Sequence, residues 1–217
     1  MKQLAGVPEW LPFAGLNLRH NPFGECAPRQ RAELAVVSLD RWLAVLEGPQ
    51  PALQFVGDCG RGKSTHLLAM RYALPDAAYV YFPEQGPLPS VPEGAVVLID
   101  EAQRMPCRVR RTTLRRRVPL VLGTHVDLRR VLRRYGYAVH TVRVDTLIDA
   151  PSLTRIFNRR LEAARLDDRR AVPRIATSEA ARLHGRFGSD VRAMEEYLYE
   201  RFQRYAGKDC VEVSFVD

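Results

Sequence analysis

Short, nearly continuous apolar runs recur through the first two thirds of the chain, at residues 53–56, 78–82, 95–99, 119–123 and 139–144. Most are rich in valine, leucine and tyrosine and do not alternate with polar residues, 139–144 being the most polar of them. That pattern predicts strands covered on both faces, as in a parallel sheet. Between them lie stretches of helical spacing. The longest, residues 29–47, places Leu34, Val37, Leu39, Trp42, Leu43 and Leu46 at helical intervals and stops at Gly48-Pro49. Strands alternating with helices predict an α/β fold, a parallel sheet sandwiched by helices. The link from Pro83 to Gly94 breaks the alternation. Its four prolines and two glycines leave no room for a crossover helix.

Asp149-Ala150-Pro151 marks a boundary. Beyond it, 152–166 and 177–204 are helical in pattern, with breaks at Pro173 and at Gly185 or Gly188, which predicts a small helical subdomain. Residues 1–28, with Trp10, Phe13 and Phe23, read as an irregular lead-in packed on the domain. Residues 211–216 alternate like a short strand. The expected organisation is a lead-in over 1–28, an α/β core over 29–148, a helical lid over 149–207 and a tail over 208–217.

One segment turns this architecture into chemistry. Gly57-Asp58-Cys59-Gly60-Arg61-Gly62-Lys63-Ser64-Thr65 follows the strand at 53–56 and precedes the helix-like His66-Leu67-Leu68-Ala69-Met70. It satisfies G-x-x-x-x-G-K-[ST] in full. The glycines let the backbone curl so that its N–H groups face phosphate oxygens, and the helix adds its N-terminal amides. Lys63 is placed for the β- and γ-phosphates and Ser64 for magnesium. Val96-Val97-Leu98-Ile99 then ends in Asp100-Glu101. An acid at the end of such a strand holds magnesium, and a second carboxylate beside it activates water. The pair predicts magnesium-dependent nucleoside triphosphate hydrolysis. No N-K-x-D element follows the fourth strand, so ATP is the expected nucleotide.

The 217 residues suit one α/β domain with a small appendage. No run of eighteen apolar residues is present to span a membrane. The start of the chain has no basic-then-apolar leader pattern. Cys26, Cys59, Cys107 and Cys210 are scattered without metal or disulfide spacing, which fits a reducing cytoplasm and makes Cys59 an oxidation liability. His20, His66, His125, His140 and His184 show no metal spacing and read as structural or surface residues. The net charge is +8, and all but three of the 33 basic residues are arginine. GC-rich codon usage explains abundance but not clustering. Arg104, Arg108, Arg110, Arg111, Arg115, Arg116 and Arg117 share one segment without an acid, followed by Arg129, Arg130, Arg133 and Arg134. Arg108, Arg110, Arg111, Arg115, Arg116 and Arg117 are candidates for nucleic-acid contact through phosphates. Subunit contacts or a solvated helix face are the competing readings. With no aromatic among them, base stacking is not indicated.

These motifs resemble AAA+ ATPases, and within them the branch of ExeA-type secretion-associated and TniB-like or IstB-like transposition ATPases. Leu98-Ile99-Asp100-Glu101-Ala102-Gln103 is similar to the D-E-A-Q form of the second nucleotide motif. Phe13-Ala14-Gly15-Leu16 with Asn21-Pro22-Phe23 looks like the lead-in of ExeA-type proteins, and Leu153 to Leu161 like a first lid helix. The resemblance implies a polar sensor at Thr124, with His125 in reserve. Gly188-Ser189-Asp190-Val191-Arg192 resembles a lid element in which Arg192 would be a second sensor. It also implies an arginine acting on a neighbour's site, for which Arg133 and Arg134 fit best, with Arg129 and Arg130 behind them. The resulting expectation is an ATP- and Mg2+-dependent ATPase that forms a homo-oligomeric ring or filament with ATP. It acts as a DNA-associated regulator, or alternatively on a protein partner, or as a low-turnover nucleotide switch.

Overall fold

The computed structural model describes residues 11–207. Trp10, Cys210 and the strand-like stretch 211–216 lie outside the described residues. Two compact units emerge, one of Ala27–Leu147 and one joining the N-terminal segment up to Cys26 to the chain from Ile148 onward.

The first unit is the predicted α/β layer. Its strands are β1 (Pro51–Val56), β2 (Ala77–Tyr81), β3 (Val96–Asp100), β4 (Leu120–Thr124) and β5 (Ala138–Arg143). All run parallel, in the order β2-β3-β4-β1-β5. The helices are α1 (Pro28–Glu33), α2 (Leu39–Val45), α3 (Lys63–Ala73), α4 (Cys107–Arg115) and α5 (Arg129–Arg134). Pleating sends alternate residues of each strand to opposite faces. Leu53 and Phe55 join Trp42, Leu67 and Met70 on one side, while Ala52 joins Leu114, Leu120, Leu122 and Leu132 on the other. Both faces of β1, β3 and β4 are covered, hence their nearly unbroken apolar runs, while the edge strand β5 keeps Ala138, His140 and Arg143 exposed.

Two local features follow from side chains. Gln54 is a polar residue fully buried in mid-strand. Its amide donates to Asp127 Oδ1 at 2.6 Å and Thr141 Oγ1 at 2.8 Å, and its carbonyl accepts from the Leu128 amide at 2.9 Å. It thereby holds the turn after β4, with its own polar atoms satisfied. The stretch expected as one helix over 29–47 is two short ones. The β-branched pair Val36-Val37 falls between α1 and α2, where χ1 stiffness favours a break. As expected, residues 82–95 join β2 to β3 without a helix.

The second unit holds α6 (Ala150–Ala163), α7 (Thr177–Phe187) and α8 (Val191–Gln203). Asp149 and Asp190 cap α6 and α8 by accepting from the Ser152 and Ala193 amides. The lead-in belongs to this unit. Phe13, Leu16, Leu18 and Phe23 share a core with Leu153, Phe157, Leu161, Leu198 and Phe202. The Phe23 ring meets Phe157 edge-on at 5.8 Å and Phe202 at 5.2 Å. Asn17, in a left-handed conformation, donates from its side chain to the carbonyls of Asp167 and Arg170, both at 2.9 Å. Residues far apart in the chain thus build one small core, which periodicity alone does not reveal.

Candidate functional site

The strand order dictates what meets at the C-terminal end of the sheet. β1 lies between β4 and β5, and the chain leaves β1 towards one edge but later crosses to the other. Such a reversal opens a crevice beyond the strand ends. The loop 57–62 fills it. Gly60 and Gly62 have φ of 77° and 86°, a region in which a Cβ is costly. At Gly57 a Cβ would come within 2.5 Å of Val144 Cγ2. The Gly57 amide donates to the Thr124 carbonyl at 3.2 Å, which ties the loop to β4. α3 then starts at Lys63 with its first amides facing the loop.

Lys63 is almost wholly buried. Its ammonium donates to the carbonyls of Gly57 at 2.9 Å and Asp58 at 2.8 Å and lies 3.3 Å from His125 Nε2. Burial lowers its pKa, against the opposing pull of Glu101, Cys59, Asp100 and Asp58. A desolvated cation with nearby carbonyls is predisposed to exchange them for an anion.

Asp100 closes β3, with β4 standing between it and β1, the strand that leads into the loop 57–62. Its carboxylate nevertheless hydrogen-bonds the Ser64 side chain. Gly123 makes that approach possible, since a Cβ there would lie 2.7 Å from Asp100 Oδ1. Asp100 also accepts from the Tyr79 hydroxyl at 3.2 Å and the Glu101 amide at 3.0 Å. Burial raises its pKa above the usual carboxylate range despite these bonds. Burial, with Asp100 adjacent, raises the Tyr79 pKa too, so the phenol stays a donor.

Glu101 takes a left-handed backbone, φ 56°, which turns its side chain back across the site. The residue is mostly buried. Oε2 accepts from Gln103 Nε2 at 2.7 Å and pairs with Arg104 at 3.5 Å. His125 Nε2 stands 3.3 Å from Glu101 Oε1. His125 therefore touches both Lys63 and Glu101, and its amide donates to Gln103 Oε1 at 3.2 Å. Thr124 is differently placed. Its hydroxyl exchanges hydrogen bonds with the Val126 backbone, donating at 2.9 Å and accepting at 3.2 Å. Of the two residues considered for the polar position after β4, His125 faces the loop lysine and the acidic pair, and Thr124 serves the turn. Cys59 Sγ lies 3.8 Å from the same His125 nitrogen.

Ser64 and Asp100 make a sparse ligand set, and no group of three His, Cys, Asp or Glu side chains gathers for a metal among the described residues. Magnesium usually keeps several waters and takes one or two protein ligands beside phosphate oxygens, so this pair fits it.

The remaining candidates lie elsewhere. Arg192 is exposed in the first turn of α8, in the helical unit. Arg133 and Arg134 are exposed in the last turn of α5, just before β5 enters the sheet. They lie at the N-terminal end of the strands, so a strand length of roughly 17–20 Å separates them from the loop 57–62 of the same chain. Arg129 pairs with Asp127 at 3.8 Å. Within the basic segment, Arg108, Arg111 and Arg115 face solvent along α4. Arg110 leans on Cys107 Sγ at 3.4 Å, and Arg116 donates to the Val91 and Pro92 carbonyls at 3.1 Å each. Arg104 bridges Glu101 and Glu84, the latter at 3.3 Å. Arg104 and Arg116 thus pin the two ends of the proline-rich link. Tyr79 and Gly123 are site residues that sequence reasoning gave no role, while Gln103 entered it only as the end of the D-E-A-Q motif and Arg104 only as part of the basic segment. Gln103 and Arg104 follow directly on the acidic pair, and that adjacency was the available signal.

No protein-family model matches this chain, and no match was found among curated proteins.

Proposed function

We propose that this protein binds ATP with magnesium at the loop 57–65 and hydrolyses its β–γ bond. The observation that carries the reading is the meeting of Ser64 with Asp100 across Gly123, beside a buried Lys63 and next to Glu101. Loop amides and Lys63 hold phosphate oxygens. Ser64 and Asp100 would hold magnesium, which would supply positive charge against the charge that develops on the phosphates. Glu101 accepts the proton of the attacking water. His125, between Lys63 and Glu101, contacts the γ-phosphate and links its presence to the orientation of Glu101. Gln103 fixes the carboxylate from the other side.

Glu101→Gln tests this directly. It keeps the size and hydrogen-bonding reach of the side chain and removes its basicity. A fluorescent ATP analogue should still bind with near wild-type affinity, while turnover falls by about 100-fold or more. Turnover within a few-fold of wild type would remove Glu101 from the mechanism.

One observation favours a slower variant of this reading. Both Glu101 oxygens are already engaged, by Gln103 and Arg104 on one and His125 on the other. Activating water requires breaking part of that network, which suits a nucleotide-controlled switch whose turnover rises when a partner or neighbouring copy loosens it. A turnover rate per molecule that rises with protein concentration or with a partner supports the switch; a rate per molecule independent of both removes it.

A further inference from the structure

We propose that His66 is a positioning residue for the phosphate loop: its imidazole holds the last peptide of that loop in the orientation that receives a phosphate. The proposal deepens the reading of residues 57–65 as a nucleotide site and rests on it.

His66 lies in the first turns of α3 and is buried. Its ring is fixed from three sides. It lies against the Phe55 ring, with centroids 4.7 Å apart and planes 35° apart. Trp42 of α2 stands T-shaped to it at 6.5 Å. The third contact is polar, with Nδ1 at 2.9 Å from the Gly62 carbonyl oxygen. A carbonyl only accepts, so Nδ1 carries the hydrogen and donates. The His66 amide donates to the same oxygen at 3.1 Å. That oxygen therefore accepts two bonds, the full capacity of a carbonyl.

The second bond answers a local weakness. Gly62 immediately precedes α3, with φ 86° and no side chain to cap the helix. Glycine has wide backbone freedom, so the peptide between Gly62 and Lys63 is poorly constrained by its own chemistry. A planar trans peptide points its C=O and N–H in opposite directions. Fixing the Gly62 carbonyl towards α3 therefore turns the Lys63 N–H into the loop, where it serves an anion.

The entry of the loop is already tied, by the Gly57 amide on the Thr124 carbonyl at 3.2 Å. His66 supplies the matching tie at the exit. Its contact with Phe55, two residues before Gly57, joins that exit to the strand feeding the entry. Both ends of the loop are thus held before any ligand arrives, so less ordering is left for binding to accomplish. The Gly62–Lys63 peptide belongs to the loop and not to the γ-phosphate contact assigned to His125. ATP and ADP should therefore depend on His66 equally.

Two variants separate this role from packing. His66→Asn keeps an N–H donor at the position of Nδ1 but loses the ring and its contacts with Phe55 and Trp42. His66→Leu keeps apolar bulk against those rings but has no donor. Thermal melts and titrations with fluorescent ATP and ADP analogues are run on both and on the wild type. His66→Leu should melt higher than His66→Asn, yet bind both analogues about 3- to 10-fold more weakly than wild type, the scale of one hydrogen bond. His66→Asn should melt lowest and bind close to wild type. At saturating ATP the kcat of His66→Leu should match wild type, so that the loss appears in KM alone. Hydrogen–deuterium exchange without nucleotide reads the loop directly. A peptide spanning the loop and the first turn of α3 should exchange faster in His66→Leu than in the wild type. Affinity that falls in step with melting temperature across the three proteins overturns the proposal and leaves His66 a packing residue. So does a His66→Leu protein with wild-type affinity and exchange. A wild type that binds neither analogue overturns the nucleotide reading itself, and unchanged exchange in His66→Leu then overturns the tie as well.

Discussion

The two ends of the parallel sheet treat charge in opposite ways. At the C-terminal end Lys63, Asp100 and Glu101 are buried, and each is met by named partners: carbonyls for Lys63, Ser64 and Tyr79 for Asp100, Gln103 and His125 for Glu101. At the N-terminal end, Arg115, Arg117, Arg133 and Arg134 are exposed, and none of them forms an ion pair among the described residues. Burial forces pairing, because an unpaired charge away from water costs several kcal/mol. Exposure removes that demand, and charge of one sign accumulates cheaply. Pairing at one end and open charge at the other thus follow from how deeply each set of side chains is buried.

Breaking the buried end should have the larger consequences. Lys63→Ala removes a charged donor from a nearly closed loop. Affinity for an ATP analogue should fall by about 10- to 100-fold, on the scale of charged hydrogen bonds. Titration at fixed magnesium measures it, and wild-type affinity in the variant would dismiss the loop as a phosphate site.

Two glycine substitutions separate crowding from strain at the same end. In Gly123→Ala the new methyl meets Asp100 Oδ1 at 2.7 Å, so Asp100 or β4 must shift, at about 1–3 kcal/mol. Magnesium dependence should weaken along with stability. In Gly62→Ala nothing lies within 4 Å, but φ is 86°, so the cost is conformational, roughly 1–2 kcal/mol. Denaturant unfolding with and without magnesium and nucleotide distinguishes them. If Gly123→Ala leaves magnesium affinity untouched, Asp100 does not reach the metal.

A pH series sharpens the same contrast. Because burial raises the folded-state pKa of Asp100, the folded protein holds that proton more tightly than the unfolded chain. This group therefore adds stability as pH falls through the raised value and costs stability above it. Asp100→Asn removes the cost, so it should melt higher than wild type near neutral pH. The gain should shrink on acidification through the elevated pKa. A lower melting temperature for Asp100→Asn at neutral pH would mean that its hydrogen bonds outweigh its burial. At the exposed end, by contrast, single changes such as Arg134→Gln should move stability by no more than about 0.5 kcal/mol. Thermal melts of both sets compare the two ends directly.

Local pattern determined a good deal of this protein. Unbroken apolar runs mark strands buried on both faces, and the observed strands lie within a residue or two of them. The glycine-rich loop and Asp100-Glu101 are legible as candidates because phosphate and metal chemistry would demand particular residue types at fixed spacing. Strand order is not written locally. The tertiary structure alone sets β4 between β1 and β3, which makes Gly123 the residue that lets Asp100 reach Ser64 and carries His125 to Lys63 and Glu101. It also decided that the lead-in phenylalanines complete the core of the C-terminal helices. Similarly, it sorted the arginines: identical in sequence, they became pins at Arg104 and Arg116, ion-pair partners at Arg160, and open charge at Arg117 and Arg133. Periodicity reports which face of an element is apolar. Which neighbour that face or charge meets depends on contacts between residues distant in the chain, and those exist only once the fold has formed.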